Sequence, residues 1–299
     1  SPAAAVPSLR ALAASSHKIV AVITREDSRQ GRRAVMTPTA VALAAEELGL
    51  PVIRANRLTD EIADTVAALG VELGVIVAYG GLVREPLLSV PDHGWINLHF
   101  SVLPRWRGAA PVQHAIIAGD ETTGATVFAL VPELDAGDIL GQITEPIGRL
   151  QTAGALLESL STSGAELLAR VVDAIALGTA RATPQQGEVT VAPKLTLSDG
   201  EIDWQLPAER VHDRIRGVTP EPGAFTSIDG GRLKVLSAVI ARDTPPLSPG
   251  VVELRGKSVL VGTGTSPIEL ITVHPAGRKV MDAGSWWRGR PTGAEGRAS

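Results

Sequence analysis

The stretch INLHFSVLPRWRGAAP, residues 96–111, decides how this chain is read. It opens as an apolar run, carries an asparagine and a histidine two positions apart, and breaks at Pro104 into an arginine-rich turn. Side chains at i and i+2 of a strand share a face. Asn97 and His99 therefore point one way, and Ile96, Leu98 and Phe100 the other. In open α/β sheets, ligands gather beyond the carboxyl ends of the strands. An amide and an imidazole at such an end stand where chemistry is done. Taken alone, the pair equally describes a core histidine satisfied by an asparagine.

Working outward, short apolar runs alternate with helical patterns. KIVAVIT (18–24), PVIRA (51–55), LGVIVAY (73–79), WINLHF (95–100) and ATVFALV (125–131) read as strands. Helices are predicted over Thr37–Leu50, with Thr37 as its cap and Gly49 near its stop, and over Thr59–Gly70. PVQHAIIAGD (111–120) and the amphipathic stretch Thr152–Leu177 complete the set. This alternation implies βαβ units in an α/β, Rossmann-like parallel sheet spanning residues 1–177.

Residues 178–193, GTARATPQQGEVTVAP, are polar and hold Gly and Pro, which marks a linker. From 194 to 299 one clear helix remains, Pro207–Val218, among short β runs: GAFTSI (223–228), GRLKVLSAVI (231–240), GVVEL (250–254), SVLVGTG (258–264) and PIELITV (267–273). Short strands at that spacing predict a small, OB-like β-barrel. The last nine residues, PTGAEGRAS, are expected to fray.

Composition narrows the function classes. The chain has 299 residues and no cysteine, which removes disulfides, thiolate nucleophiles and Cys-ligated zinc and agrees with a reducing cytoplasm. No window reaches the ~18 apolar residues of a membrane helix, and SPAAAVPSLRALAASS lacks the basic-then-apolar order of a secretory signal. A cytoplasmic location without membrane attachment is expected. No H-E-x-x-H is present, so no metal is expected. The net charge of −4 argues against a protein that coats nucleic acid throughout. Its distribution is uneven: 14 basic against 20 acidic residues over 1–192, and 14 against 12 over 193–299. One lobe meeting a polyanion is compatible with that balance, as is random scatter.

A second candidate element, VPELDAGDIL (131–140), places Asp135 and Asp138 in a glycine-containing loop after a strand. By itself this is a turn with capping aspartates. A carboxylate beside an imidazole would raise its pKa and orient the ring for acid–base work. Amide, imidazole and carboxylate together suggest acyl transfer without a protein nucleophile.

Residues 97–139, NLHFSVLPRWRGAAPVQHAIIAGDETTGATVFALVPELDAGDI, resemble the folate-dependent formyltransferase family, most specifically its members that act on methionyl-tRNA. The resemblance extends to VAYGGLV (77–83), APKLTLSDGEIDW (192–204) and IRGVTPEPGAFT (215–226), so nearly the whole chain is covered. It implies a catalytic trio of Asn97, His99 and Asp135, with 10-formyltetrahydrofolate as formyl donor. The folate is expected against Ser101, Val102, Leu103 and Pro104, near Asp138, with Tyr79, Gly80, Gly81, Leu82 and Val83 as the pocket wall. The acceptor implied is initiator methionyl-tRNA, gripped by Arg25, Arg29, Arg32 and Arg33 in the basic loop TREDSRQGRRAVMTP (24–38), and the protein is expected to be a monomer. Two departures stand out. The family opens on a strand similar to M-R-I-V-F-A-G-T-P, so a first, central strand is expected to be missing here, and Val102 replaces the commoner leucine.

Rival readings keep the chemistry and change the acceptor: a nucleotide-linked amino sugar, or glycinamide ribonucleotide, whose enzymes lack the second barrel. A formyltetrahydrofolate hydrolase would use the trio on water. A non-catalytic RNA-binding module leaves the trio unexplained. Trp106 and SWWRGR (285–290) suit either stacking on RNA or packing, and His114 and His212 read as packing residues.

Overall fold

The β-branched runs become strands, those before residue 100 shorter than the apolar stretches that predict them. The computed structural model describes residues 1–30, 34–290 and 296–299. In order come α1 (Val6–Ala13), β1 (Val22–Thr24), β2 (Ser28–Gln30), β3 (Val35–Thr37), α2 (Ala40–Glu47), β4 (Val52–Arg54), α3 (Asp60–Ala68) and β5 (Gly74–Val77). They are followed by β6 (Trp95–His99), α4 (Pro111–Ala118), β7 (Thr122–Ala129), β8 (Ile139–Pro146) and α5 (Ala153–Ala176). Thr39, rather than Thr37, caps α2 by accepting from the Ala42 N–H. Gly49, at φ +66°, ends that helix as expected.

Parallel pairing joins β1 to β4 and β5 to β6, in two separate ladders. The second ladder runs β5-β6-β7-β8, and β7 lies antiparallel to β6, so an antiparallel strand adds to the parallel pairing that was predicted. A strand buried on both faces such as β7 carries no mark of its direction. The basic loop also differs from the coil that its composition predicts. Its arms form an antiparallel hairpin, β2 with β3, in which Arg29 faces Met36. Arg32 and Arg33 lie outside the described residues.

Two compact units divide the chain. One holds residues 1–111, 123–145 and 157–192, and the other 112–122, 146–156 and 193–299. In the first, Ile96 and Leu98 of β6 are fully buried, with Leu160 and Leu168 of α5 also in the interior. A Cβ on Gly164 would meet Leu98 at 3.2 Å, so the missing side chain lets α5 sit close to the strand that carries the asparagine and histidine.

The second unit adds α6 (Ala208–Gly217), β9 (Phe225–Ile228), β10 (Gly231–Ile240), β11 (Val252–Arg255), β12 (Ser258–Val261), β13 (Ile268–Pro275), β14 (Met281–Asp282) and α7 (Ala283–Arg288). Its antiparallel sheet runs β11-β12-β13-β10-β9, with β14 on β13. Trp204, Val211, Ile215, Val235 and Leu270 fill its core. Of the nine final residues expected to fray, 291–295 lie outside the described residues, and 296–299 are built into the sheet. Ala298 bridges Ile228 beside β9, and Arg297 bridges Val251 beside β11, so residues 297–298 stitch the two sheet edges together. Among the described residues no helix is long and apolar enough to cross a membrane.

Candidate active site

Strand β6 delivers its two polar side chains as the period of two requires, and the loops after it complete the site. His99 is buried, its ring edge-on to Phe128 at 6.5 Å between centroids. Its Nε2 lies 2.8 Å from the Trp106 carbonyl, which only accepts, so Nε2 carries the proton in the neutral ring. The lone pair is then on Nδ1. That atom faces Asp135 Oδ2 at 3.7 Å, with the two side chains 7% and 11% exposed. The backbone N–H of Gly108 donates to the same carboxylate oxygen at 2.8 Å. Gly108 holds φ +115°, and a Cβ there would meet the Ala192 carbonyl at 2.8 Å. Glycine is required for this approach.

Asn97 sits one pleat earlier, and its Oδ1 is buried without a hydrogen-bond partner. Buried polar groups are paired in most folded proteins, and an orphan at a strand end calls for a reason. His99 and Asp135 thus come together although Asp135 belongs to a distant loop, and Asn97 lies two residues before His99 on the same strand.

The cofactor residues named from resemblance are dispersed more widely. The Ser101 hydroxyl donates to the Arg105 carbonyl at 2.6 Å. Thr126 Oγ1 donates to the Ser101 carbonyl at 2.7 Å and receives the Gln142 amide at 2.9 Å. Ser101, Leu103 and Pro104 are buried and hold this turn from below, while Val102 keeps some exposure. In the other segment, Gly80, Gly81 and Leu82 are exposed. The Tyr79 hydroxyl donates to the Ala55 carbonyl at 2.8 Å, and Val83 belongs to a core cluster with Ala63, Val66 and Leu87. Asp138 is exposed and joins the loop through its carbonyl, which accepts from Ala129.

The Arg25 guanidinium donates to the carbonyls of Tyr79 at 3.3 Å and Gly80 at 2.8 Å, so it braces the 79–80 turn. Arg29 is exposed. Trp106, at φ +59°, offers its carbonyl to His99 while the Arg105 guanidinium lies over its ring. Residues 178–193 are anchored rather than loose: Thr183 bridges Ile139, Val191 bridges Arg107, and Thr190 Oγ1 accepts the Trp106 N–H. Thr126, Gln142 and Gln185 also bear on the site and carry no local sequence signal.

Family models match on both sides of residue 178: a formyl transferase model over residues 2–172 and a formyl transferase C-terminal domain model over 194–291. The methionyl-tRNA formyltransferase of Leifsonia xyli subsp. xyli is 59% identical, covering 96% of this chain and 95% of the relative. That of Clavibacter sepedonicus is 56% identical, covering 97% and 95%. The chain belongs to the methionyl-tRNA formyltransferase family. A solved N-formyltransferase from Helicobacter canadensis, in complex with folinic acid and dTDP-3-aminofucose, shares the fold at a TM-score of 0.65. At 18% identity, with 90% of this chain and 96% of that one covered, the likeness is one of fold.

Family membership directs attention to the protonation of His99. Burial holds its imidazole below the ordinary value of 6.5, and Asp135 and the Trp106 carbonyl oppose that only in part. His212 is lowered too, first by burial and then by Arg216. Both rings are neutral in the folded protein near pH 7, whereas an unfolded chain protonates them as pH falls through about 6.5. The unfolded state then binds more protons, so stability declines as pH drops below that value. A Tm series is expected to be flat near neutrality and to fall on the acid side, and replacing His212 with glutamine should make the fall shallower.

Proposed function

We propose that this chain transfers the formyl group of 10-formyltetrahydrofolate to the amino group of methionyl-initiator tRNA, acting as a cytoplasmic monomer. The observation that carries the reading is the approach of Asp135 to His99 at the carboxyl end of β6, the strand that also bears Asn97. Identity above 50% to methionyl-tRNA formyltransferases over nearly the full chain supports the choice of acceptor. A donor site here fits the residues, because the buried Asn97 Oδ1 has no partner and can accept an N–H from a bound group, leaving the amide hydrogens for an oxygen. The donor, when bound, supplies an activated formyl carbon whose oxygen gains negative charge as an amine adds.

The chain's own groups answer that change. The Asn97 amide is placed to hydrogen-bond the charge-gaining oxygen, and such a donor contributes most in a water-poor site. His99 Nδ1, neutral and bearing its lone pair, takes the proton that the amine nitrogen loses on addition. Asp135 lies beside that nitrogen and stabilises the imidazolium so formed. The same proton then serves the departing nitrogen, which restores neutral His99. Both faces of this arrangement are fixed by main-chain groups, the Trp106 carbonyl and the Gly108 N–H. The histidine and carboxylate therefore need little reorganisation.

Acceptor identity is tested by comparing formylation of methionyl-tRNA with that of an amino sugar nucleotide. Efficient transfer only to the sugar would overturn the proposal. For the tRNA, Arg29 on the hairpin and the neighbouring Arg32 and Arg33 are proposed phosphate contacts. Replacing Arg32 and Arg33 with alanine should weaken tRNA affinity and leave donor affinity unchanged. Each lost phosphate contact should flatten the salt dependence by about 0.7–0.9 log units per log unit of salt. Equal salt slopes for wild type and double mutant would remove these arginines from recognition.

A further inference from the structure

Asp135 performs its part only if a non-glycine residue is held at φ +46° in a loop without regular secondary structure. One side chain accounts for much of that hold. The Gln185 amide nitrogen has two hydrogens and meets two carbonyl oxygens, those of Asp135 and Gly137, each at 2.8 Å. Its Oε1 receives the Arg107 guanidinium twice, from Nε at 3.2 Å and Nη2 at 2.6 Å. Donors and acceptor are thus all engaged. Arg107 immediately precedes Gly108, whose N–H binds the Asp135 carboxylate. Gln185 therefore joins the two loops that grip Asp135, one by its carbonyl and the other by its carboxylate.

We infer that Gln185, in the segment between the two family-model regions, is a positioning residue that sets the separation of Asp135 from His99. The inference rests on the proposed role of the trio and adds a residue to it. Residues 183–192 accordingly lie along the 105–110 and 135–139 loops.

The two halves of the amide can be tested separately. Gln185→Glu keeps an acceptor for Arg107 but sets a carboxylate against two carbonyl oxygens, whereas Gln185→Ala removes both halves. Both variants should lose about tenfold in kcat, with little change in KM for the donor, since misplacing a catalytic group acts on the chemical step. The acid limb of the pH–rate profile should move to lower pH, because His99 loses part of the influence of Asp135.

A double-mutant cycle separates positioning from general support of the fold. In an Asp135→Asn background, Gln185→Ala should cost almost nothing further. An additive tenfold loss there, or wild-type kcat and pH profile in Gln185→Glu, would overturn the inference while leaving the trio standing. A near-normal rate for Asp135→Asn alone would instead overturn the reading of the trio.

Discussion

Replacing Asp135 with asparagine is expected to lower kcat for formylation by about 10²–10⁴-fold while the protein still folds. The substitution is nearly isosteric, and an amide oxygen can still accept the Gly108 N–H that Asp135 Oδ2 accepts at 2.8 Å. What disappears is the negative charge 3.7 Å from His99 Nδ1. Burial already lowers the proton affinity of that imidazole, and Asp135 is the leading influence in the opposite direction. Without it the ring becomes a poorer base, and the imidazolium formed during amine addition loses its partner. The acid limb of the rate profile should shift to lower pH along with the loss in kcat. Steady-state kinetics with methionyl-tRNA across pH 5–8 measures both. A rate close to wild type would show that the carboxylate has no part in proton handling.

The two ends of this site differ in how plainly the sequence announces them. Asn97 and His99 were readable because strand periodicity fixes which side chains share a face, and Ile96 and Leu98 occupy the opposite face in the core. Asp135 was readable only through resemblance, since D-A-G-D is locally an ordinary turn. Its approach to His99 depends on contacts distant in sequence, through Gly108 and Gln185. The same distinction runs through the fold. Helices α2, α3, α5 and α6 follow from local pattern, within a few residues. The antiparallel direction of β7 does not, because a strand buried on both faces looks the same in either direction. Nor does the order of the chain end. GRAS has almost no apolar content, and its place between β9 and β11 comes from main-chain bonds such as Ser227 N–H to the Ser299 carbonyl. Side-chain composition does not encode those bonds. Val83, named for a pocket wall by its place in a motif, also packs with Ala63 and Leu87, a contact that the motif does not announce.

Asn97 provides the second large effect, in which stability and activity should move in opposite directions. Its Oδ1 is buried without a partner, and its neighbours across the sheet are Ile76 and Phe128. An amide among apolar neighbours loses solvation that no protein group returns, a penalty of about 1–3 kcal/mol for an unsatisfied buried acceptor. Leucine at this position would remove the orphan and add apolar contact with the flanking strands. Asn97→Leu should therefore be as stable as wild type or more so, by up to about 1 kcal/mol in denaturant unfolding. The same change deletes the group placed to meet the charge-gaining oxygen, and removal of such a donor lowers kcat by about 10²–10³-fold. A residue kept for packing would behave in the reverse manner, losing stability on replacement while the remaining folded protein stayed active. Paired unfolding and kinetic measurements on this variant distinguish the cases. Lower stability with unimpaired kcat would return Asn97 to the core and leave the developing oxyanion without its proposed partner on β6.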